Sequence, residues 1–266
     1  MCQFLLGTHQ PEWSERTGVH LFLSARRLRK RKRLPRAMCP WSLDSGGFSE
    51  IKLHGTWQTT PQQYLAEVRR WRDEVGNLQW AAVQDWMCEP FMLRKTGKTV
   101  VEHQRRTTWS YLTLKSLAPE VWWVPVLQGW TIDDYLRHLE EYHRALPFPL
   151  SGFRLVGVGS VCRRQGTSEA LEIFQAISLE CPGIRLHGFG LKTLGLERCA
   201  PYLASADSMA WSARARRAYH HDRIRLCGDK HKGGCANCLP WALSWREKVV
   251  RLIERVKKRP FQKTFC

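Results

Sequence analysis

An α/β fold of parallel strands, closed into a (β/α)8 TIM-like barrel, is what this sequence predicts, and three observations carry it. Short apolar segments alternate with amphipathic ones along the chain, the pattern of parallel strands joined by right-handed crossovers. Eight of these segments have strand character, and eight such units close a barrel. The length, 266 residues, suits one large domain with a full core. An open doubly wound sheet is the alternative that the same alternation allows.

The strand candidates, in order, are Gln3–Leu6, Leu21–Leu23, Trp41–Leu43, Trp80–Gln84, Trp122–Leu127, Phe153–Val158, Ile184–Phe189 and Ser205–Ala210. The first two are the least marked. Between them, Thr60-Pro61-Gln62-Gln63 reads as a capping box with proline in the first helical turn. Tyr64, Leu65, Val68, Trp71 and Val75 follow at helical spacing. Thr131 and Asp134 form a second capping signal, ahead of a face of Ile132, Tyr135, Leu136, Leu139 and His143. Leu171, Phe174 and Ile177 line a third helix, and 194–203 a short fourth. The basic run Ala25–Arg36 is expected to be a solvated loop. Residues 1–213 are expected to form the barrel. Residues 214–266 are expected to form a basic, zinc-binding C-terminal segment whose helix, about Trp241 to Lys258, packs on it.

Composition narrows the function. Hydrophobic residues make up 43% of the chain, so it is globular. The net charge is +18 and the isoelectric point about 9.9. Such a charge points to nucleic acid as partner, through phosphate neutralisation and counterion release. No run approaches the roughly 20 apolar residues of a membrane span, and no signal-like start is present, so a cytoplasmic protein is expected. The ten cysteines are then expected to be reduced thiols, with one metal site. The thirteen tryptophans are expected mostly in the core, with a few available to stack on bases.

Against this basic background, three aspartates fall at predicted strand ends: Asp44 in Asp-Ser-Gly-Gly-Phe, Asp85 in Gln-Asp-Trp, and Asp207 in Ala-Asp-Ser. In a parallel barrel those ends form the active face. Gln128-Gly129, Gly157-Val158-Gly159-Ser160 and His187-Gly188-Phe189-Gly190 fall on the same face. Gln128 offers a donor and an acceptor to a base edge, and Asp85 can accept the paired N–H donors of a guanine. Two carboxylates at a sugar–base bond can divide the work, one attacking the anomeric carbon and one handling the proton of the leaving base. His187 suits either a site residue or a hydrogen-bonded structural one.

In this order the motifs resemble the tRNA-guanine transglycosylase superfamily, over about residues 1–238. Asp-Ser-Gly-Gly-Phe is the most specific of them. The resemblance implies a (β/α)8 barrel that exchanges guanine for a 7-deazaguanine base through a covalent glycosyl–aspartate. By it, Asp207 resembles the nucleophile and Asp44 the acid/base carboxylate. Asp85 and Gln128, with Gly129, resemble the residues gripping the purine. Gly157 to Gly159 resembles the loop whose backbone contacts the base, and Phe48 a stacking aromatic. Two departures stand out: Trp130 where the tRNA enzymes usually have a second glycine, and Ser160 where a glutamate commonly follows the loop. These and the length are more like the DNA-directed, DpdA-like branch. That branch places derivatives such as 7-cyano-7-deazaguanine into phage or bacterial DNA. Duplex DNA is therefore the expected polymer, with tRNA the alternative; helper proteins that open or scan the duplex are a further class of partner. A non-catalytic, zinc-dependent nucleic-acid-binding protein is the alternative outside enzymes.

Near the C-terminus, Cys227, His231, Cys235 and Cys238 share one short segment. The Cys-x2-Cys pair and the soft thiolates suit structural zinc. The superfamily carries such a zinc with its histidine after the cysteines, whereas no histidine follows Cys238 here. His231 is the expected fourth ligand, with His220, His221 and Cys266 as alternatives.

Overall fold

The computed structural model describes residues 2–164, 168–228, 231 and 233–258. Nine short strands lie in one all-parallel sheet. They are β1 (Gln3–Thr8), β2 (Leu21–Ser24), β3 (Trp41–Asp44), β4 (Leu78–Ala82), β5 (Trp123–Val124), β6 (Val126–Leu127), β7 (Val156–Val158), β8 (Leu186–Gly188) and β9 (Leu203–Ser208). Their order is β5-β4-β3-β2-β1-β9-β8-β7-β6, and every paired register is parallel. β5 and β6 flank Pro125 in one extended segment. Proline has no N–H for a ladder, so the segment pairs with β4 before it and with β7 after it. Counted as one strand, it brings the two ends of the sheet together in a nearly closed, eight-stranded barrel. All eight expected strands are present.

The surrounding helices are α1 (Ala25–Arg29), α2 (Gly47–His54), α3 (Pro61–Val75), α4 (Pro90–Thr96), α5 (Val100–Leu117), α6 (Ile132–Ala145), α7 (Glu169–Glu180), α8 (Thr193–Cys199), α9 (Ala210–Asp222) and α10 (Leu239–Lys258). Both capping boxes form as expected, Thr60 with Gln63 and Thr131 with Asp134. The α3 face of Tyr64, Leu65, Val68, Trp71 and Val75 is buried throughout. In α6 the buried stripe differs from the apolar one read from sequence. It runs Asp134, Tyr135, His138, Leu139, Tyr142, and His143 lies at its margin.

The basic run corrects one expectation. Residues 25–29 are helical, and Ala25 and Leu28 are fully buried. Arg29 reaches Glu67 at 2.7 Å and Glu50 at 3.0 Å. Glu50 also accepts from the Gln58 and Thr59 backbone N–H groups, both at 2.9 Å. This part of the run is a strut between α1, α2 and α3, because Arg29 on α1 meets a carboxylate from each of the other two helices.

The core has two layers. Leu5, Phe22, Trp80, Ala82, Val124 and Leu155 fill the barrel interior. A larger cluster lies between strands and helices and includes Trp41, Trp71, Trp211, Trp241 and Trp245. α10 contributes Trp241, Trp245, Val249 and Ile253 to that cluster and packs against β1, α8 and α9.

Candidate active site

The carboxyl ends of the strands surround a cavity of about 350 Å³. Asp44 ends β3, Asp207 lies near the end of β9, and Asp85 follows β4 by three residues. All three line the cavity, together with Gln128, Gly159 and Phe48. Residues separated by up to 163 positions thus meet because every strand of a parallel barrel ends on one face.

Asp44 follows the last pleat of β3 and enters a tight turn. Gly46 has φ +81°, a left-handed conformation that favours glycine. This turn brings the Gly46 backbone and the Ser24 side chain to the Asp44 carboxylate as donors. Burial and the nearby Asp207 charge nevertheless push the Asp44 carboxyl upward. It is therefore disposed to carry a proton, as an acid beside a second carboxylate should.

Asp85 sits in an irregular segment held by polar side chains. Ser110 Oγ accepts from Gln84 N–H (3.1 Å), and Thr107 Oγ1 from Trp86 N–H (2.9 Å). Trp57 Nε1 donates to the Asp85 carbonyl at 3.1 Å. The Asp85 carboxylate itself accepts from Ser45 Oγ (3.1 Å) and Gln128 Nε2 (2.6 Å). Burial, with Asp44 adding repulsion, pushes the Asp85 carboxyl up to about 7.

Gln128 is clamped from both sides. Its carbonyl accepts from Gln104 Nε2 at 2.8 Å, and its N–H donates to His138 Nδ1 at 2.8 Å. Burial pushes His138 down to about 3, so the ring is neutral and Nδ1 can accept. The side-chain amide lies flat against Gly159. A Cβ there would come within 2.2 Å of Gln128 Nε2, so only glycine lets the two strand ends close.

Asp207 Oδ1 accepts from Gly190 N–H at 2.9 Å. His187 lies below it, fully buried inside the barrel, with Nε2 3.4 Å from Asp207 Oδ1 and Nδ1 2.8 Å from Ser205 Oγ. His187 therefore touches the carboxylate and does not line the cavity. Gly157 and Gly129 do not line it either. Gly157 makes room for Phe189, and Gly129 for the first turn of α6. Phe189 and Ser160, from the strand-end turns, line the cavity, as do Phe22 and Glu89, which the sequence did not single out. Phe48 lies edge-on to Phe91, and Arg163 covers both rings at 5.2 and 4.9 Å.

The rim is basic. Arg26 and Arg27 line the opening, and Arg27 bonds His9 at 3.0 Å. Burial and the cationic neighbours Arg27, Arg216 and Arg26 push His9 down to about 4. Carboxylates at the floor and cations at the lip suit a ligand with a polar base and a phosphate backbone.

The sequence model of the DpdA family (DeoxyPurine in DNA protein A) matches residues 1–264. The chain belongs to the DpdA family. This is the DNA-directed, tRNA-guanine transglycosylase-like family, and membership supports a DNA-modifying transglycosylase. No curated protein matches the chain. Among solved structures, a Rhizobium etli pyruvate carboxylase variant aligns with TM-score 0.37 and 13% identity, over 98% of this chain and 29% of that one. The chain thus spans under a third of that protein. Within the DpdA chain, the unusual Trp130 stacks under Arg164 at 4.2 Å, and Arg164 also donates to the Trp130 carbonyl. Among the described residues, no helix is long and apolar enough to cross a membrane.

A second cluster lies outside the barrel mouth. Ligand atoms of Cys227, His231, Cys235 and Cys238 all fall within 4.8 Å of one another. Cys227 Sγ is 3.2 Å from His231 Nε2 and 3.3 Å from Cys235 Sγ. Burial, with Cys227 and Cys235 close by, pushes the Cys238 thiol up to about 11. The set of three sulfurs and one nitrogen could hold a metal ion. His220 and His221 lie on α9 and pack against each other. Cys266 lies outside the described residues.

Proposed function

We propose that the chain is a DNA-guanine transglycosylase. It exchanges guanine in DNA for a 7-deazaguanine base, such as 7-cyano-7-deazaguanine, through an aspartyl–glycosyl intermediate. The observation that carries this reading is the meeting of Asp44, Asp85 and Asp207 in one cavity under an arginine rim.

A guanine in duplex DNA must leave the stack to reach the cavity. Arg26, Arg27 and Arg163 hold the backbone by phosphate contacts and offset part of that cost. Asp85 accepts the N1–H and N2–H donors of the flipped base, and Gln128 supplies a donor beside it. A carboxylate oxygen of Asp207 attacks the anomeric carbon as the bond to N9 breaks. Asp44 gives its proton to N9, so guanine leaves neutral. The incoming base then returns a proton from its N9 to Asp44 and attacks the same carbon, and the bond to Asp207 breaks. The sugar keeps its original configuration after two inversions. Phe22, Phe48 and Phe189 provide apolar surface for stacking.

The four-ligand set fits structural zinc, because three thiolates and an imidazole nitrogen match its tetrahedral preference. Bound there, zinc closes the segment between α9 and α10 and adds folding free energy. No chemical step passes through it.

The test is incubation with guanine-labelled duplex DNA, with and without 7-cyano-7-deazaguanine. Label release that depends on the added base, with the deazapurine found in DNA by mass spectrometry, supports the reading. Release without an incoming base would make the chain a glycosylase. Activity on tRNA alone would move the polymer to RNA. Silence on both polymers would favour a binding protein.

A further inference from the structure

Glu89 has no place in the base exchange just described, yet it is 1% exposed and lines the same cavity. It occupies the N-cap of α4, but its side chain does not cap that helix. It turns inward to Ser160, with Oε2 2.9 Å from Ser160 Oγ. Ser160 Oγ is also 2.7 Å from Gln128 Oε1 and accepts from Cys88 N–H at 2.8 Å. Gln128 Nε2 then reaches Asp85 at 2.6 Å. Two carboxyl groups are thus joined through one hydroxyl and one amide.

Counting protons limits how this chain can run. Ser160 has one proton to give and two lone pairs. Cys88 N–H takes one lone pair. With Gln128 Nε2 donating to Asp85, Gln128 Oε1 needs the serine proton, so Ser160 has none for Glu89. The contact at 2.9 Å then requires Glu89 to be protonated and to donate. In the opposite sense, Asp85 carries the proton and donates to a turned Gln128 amide, and Ser160 donates to an ionised Glu89. Each sense holds one proton, at opposite ends. Burial pushes the Glu89 carboxyl upward, with Ser160, Arg163 and Arg164 opposing that shift. Cys88 and Cys162 are the other titratable groups beside it, while Asp44 faces the far end.

The two senses present different edges. With the proton on Glu89, Asp85 is a bare acceptor of two N–H donors, which suits guanine. With the proton on Asp85 and committed to Gln128, the carboxyl is neutral and one of its oxygens is occupied by the proton, so it no longer meets both N–H donors of a guanine-type edge well. We infer that Glu89 is a specificity-determining positioning residue: through Ser160 and Gln128 it holds the pocket in the sense that accepts a guanine-type edge. This rests on the base-binding role proposed for the cavity.

The test is calorimetric binding of free guanine and free adenine to the full chain and three variants. Glu89→Gln keeps a donor to Ser160 and cannot ionise, so its guanine-over-adenine preference should equal or exceed that of the starting protein. Glu89→Ala leaves the chain free to run either way, and the preference should fall about tenfold. Ser160→Ala breaks the next link and should fall likewise, which keeps the test decisive if Glu89→Ala does not fold. A merely structural Glu89 would weaken both bases together and leave the ratio unchanged; that result overturns the inference. So does a Glu89→Gln variant that loses the preference. If the starting protein binds neither base, the base-exchange reading itself fails, and the inference with it. A retained preference that is indifferent to Glu89 and Ser160 removes only the inference.

Discussion

Two clusters of acidic groups mark this molecule, and each would repel itself if all its members ionised. Asp44, Asp85 and Asp207 meet from distant parts of the chain at the barrel mouth. Cys227, Cys235 and Cys238 meet within twelve residues outside it. The scaffold relieves the first cluster with donors from Ser24, Ser45, Gln128 and Gly190, while burial pushes the Asp44 and Asp85 carboxyls upward. For the thiols, a cation between them and His231 would be the natural relief. The first site is thus built by the fold, whereas a metal bound at the second would help to build the part of the fold that contains it.

Breaking the first cluster should have the largest effect. Asp207→Asn should lower base exchange by a factor on the order of 10³ or more, because the covalent step is lost; label release from guanine-labelled DNA reads this. Asp44→Asn should lower exchange by about 10²-fold or more and leave DNA binding in place, as expected for a proton donor. A variant that exchanges at full rate would remove the acid role from Asp44.

Breaking the second cluster should affect stability before chemistry. Chelation, or Cys235→Ser, should release one zinc per chain and lower the melting temperature by roughly 5 °C or more. Free guanine should still bind, since none of the thiols lines the cavity. Loss of both together would show that the two clusters are one unit.

Protonation sharpens the contrast further. The Asp85 carboxyl is raised to about 7 from an ordinary 3.8, so the folded chain keeps a proton that the unfolded chain releases. Its contribution to stability is full below 3.8 and is lost as pH rises through about 7. Asp85→Asn should therefore flatten the fall in melting temperature between those limits, by about 5 °C. The smallest effect is expected at the rim. Arg27→Ala should weaken binding to all DNA sequences alike and reduce the salt slope of log K by about one.

Much of this was legible from the residues. The alternation of apolar segments marked all eight strands, and the capping signals at Thr60 and Thr131 marked α3 and α6. The strand-end aspartates and Gln128 stood out against a basic chain. The helix α5 did not. Its buried face carries His103, Gln104, Thr107, Thr108 and Ser110 beside Tyr111 and Leu114, so no apolar stripe betrays it. The reason is functional: Thr107 and Ser110 hold the Asp85 segment, and Gln104 holds Gln128. A helix that buttresses a polar site cannot also advertise itself by hydrophobic periodicity. Glu89 was silent for a related reason. It looks like an ordinary residue before a proline, and its role depends on Ser160, seventy-one positions away.

By itself, then, the sequence determined the barrel class, the order of its strands and the types of residue placed at their ends, because short apolar runs and turn residues are local. It also determined the metal-ligand spacing, which lies within a single loop. Only the tertiary structure decided that His187 sits beneath Asp207 and does not line the cavity. It alone turned Glu89 inward and made part of a basic run into a strut. Those outcomes depend on which side chains meet when the sheet closes, and hydrogen-bond partners and burial are properties of that meeting.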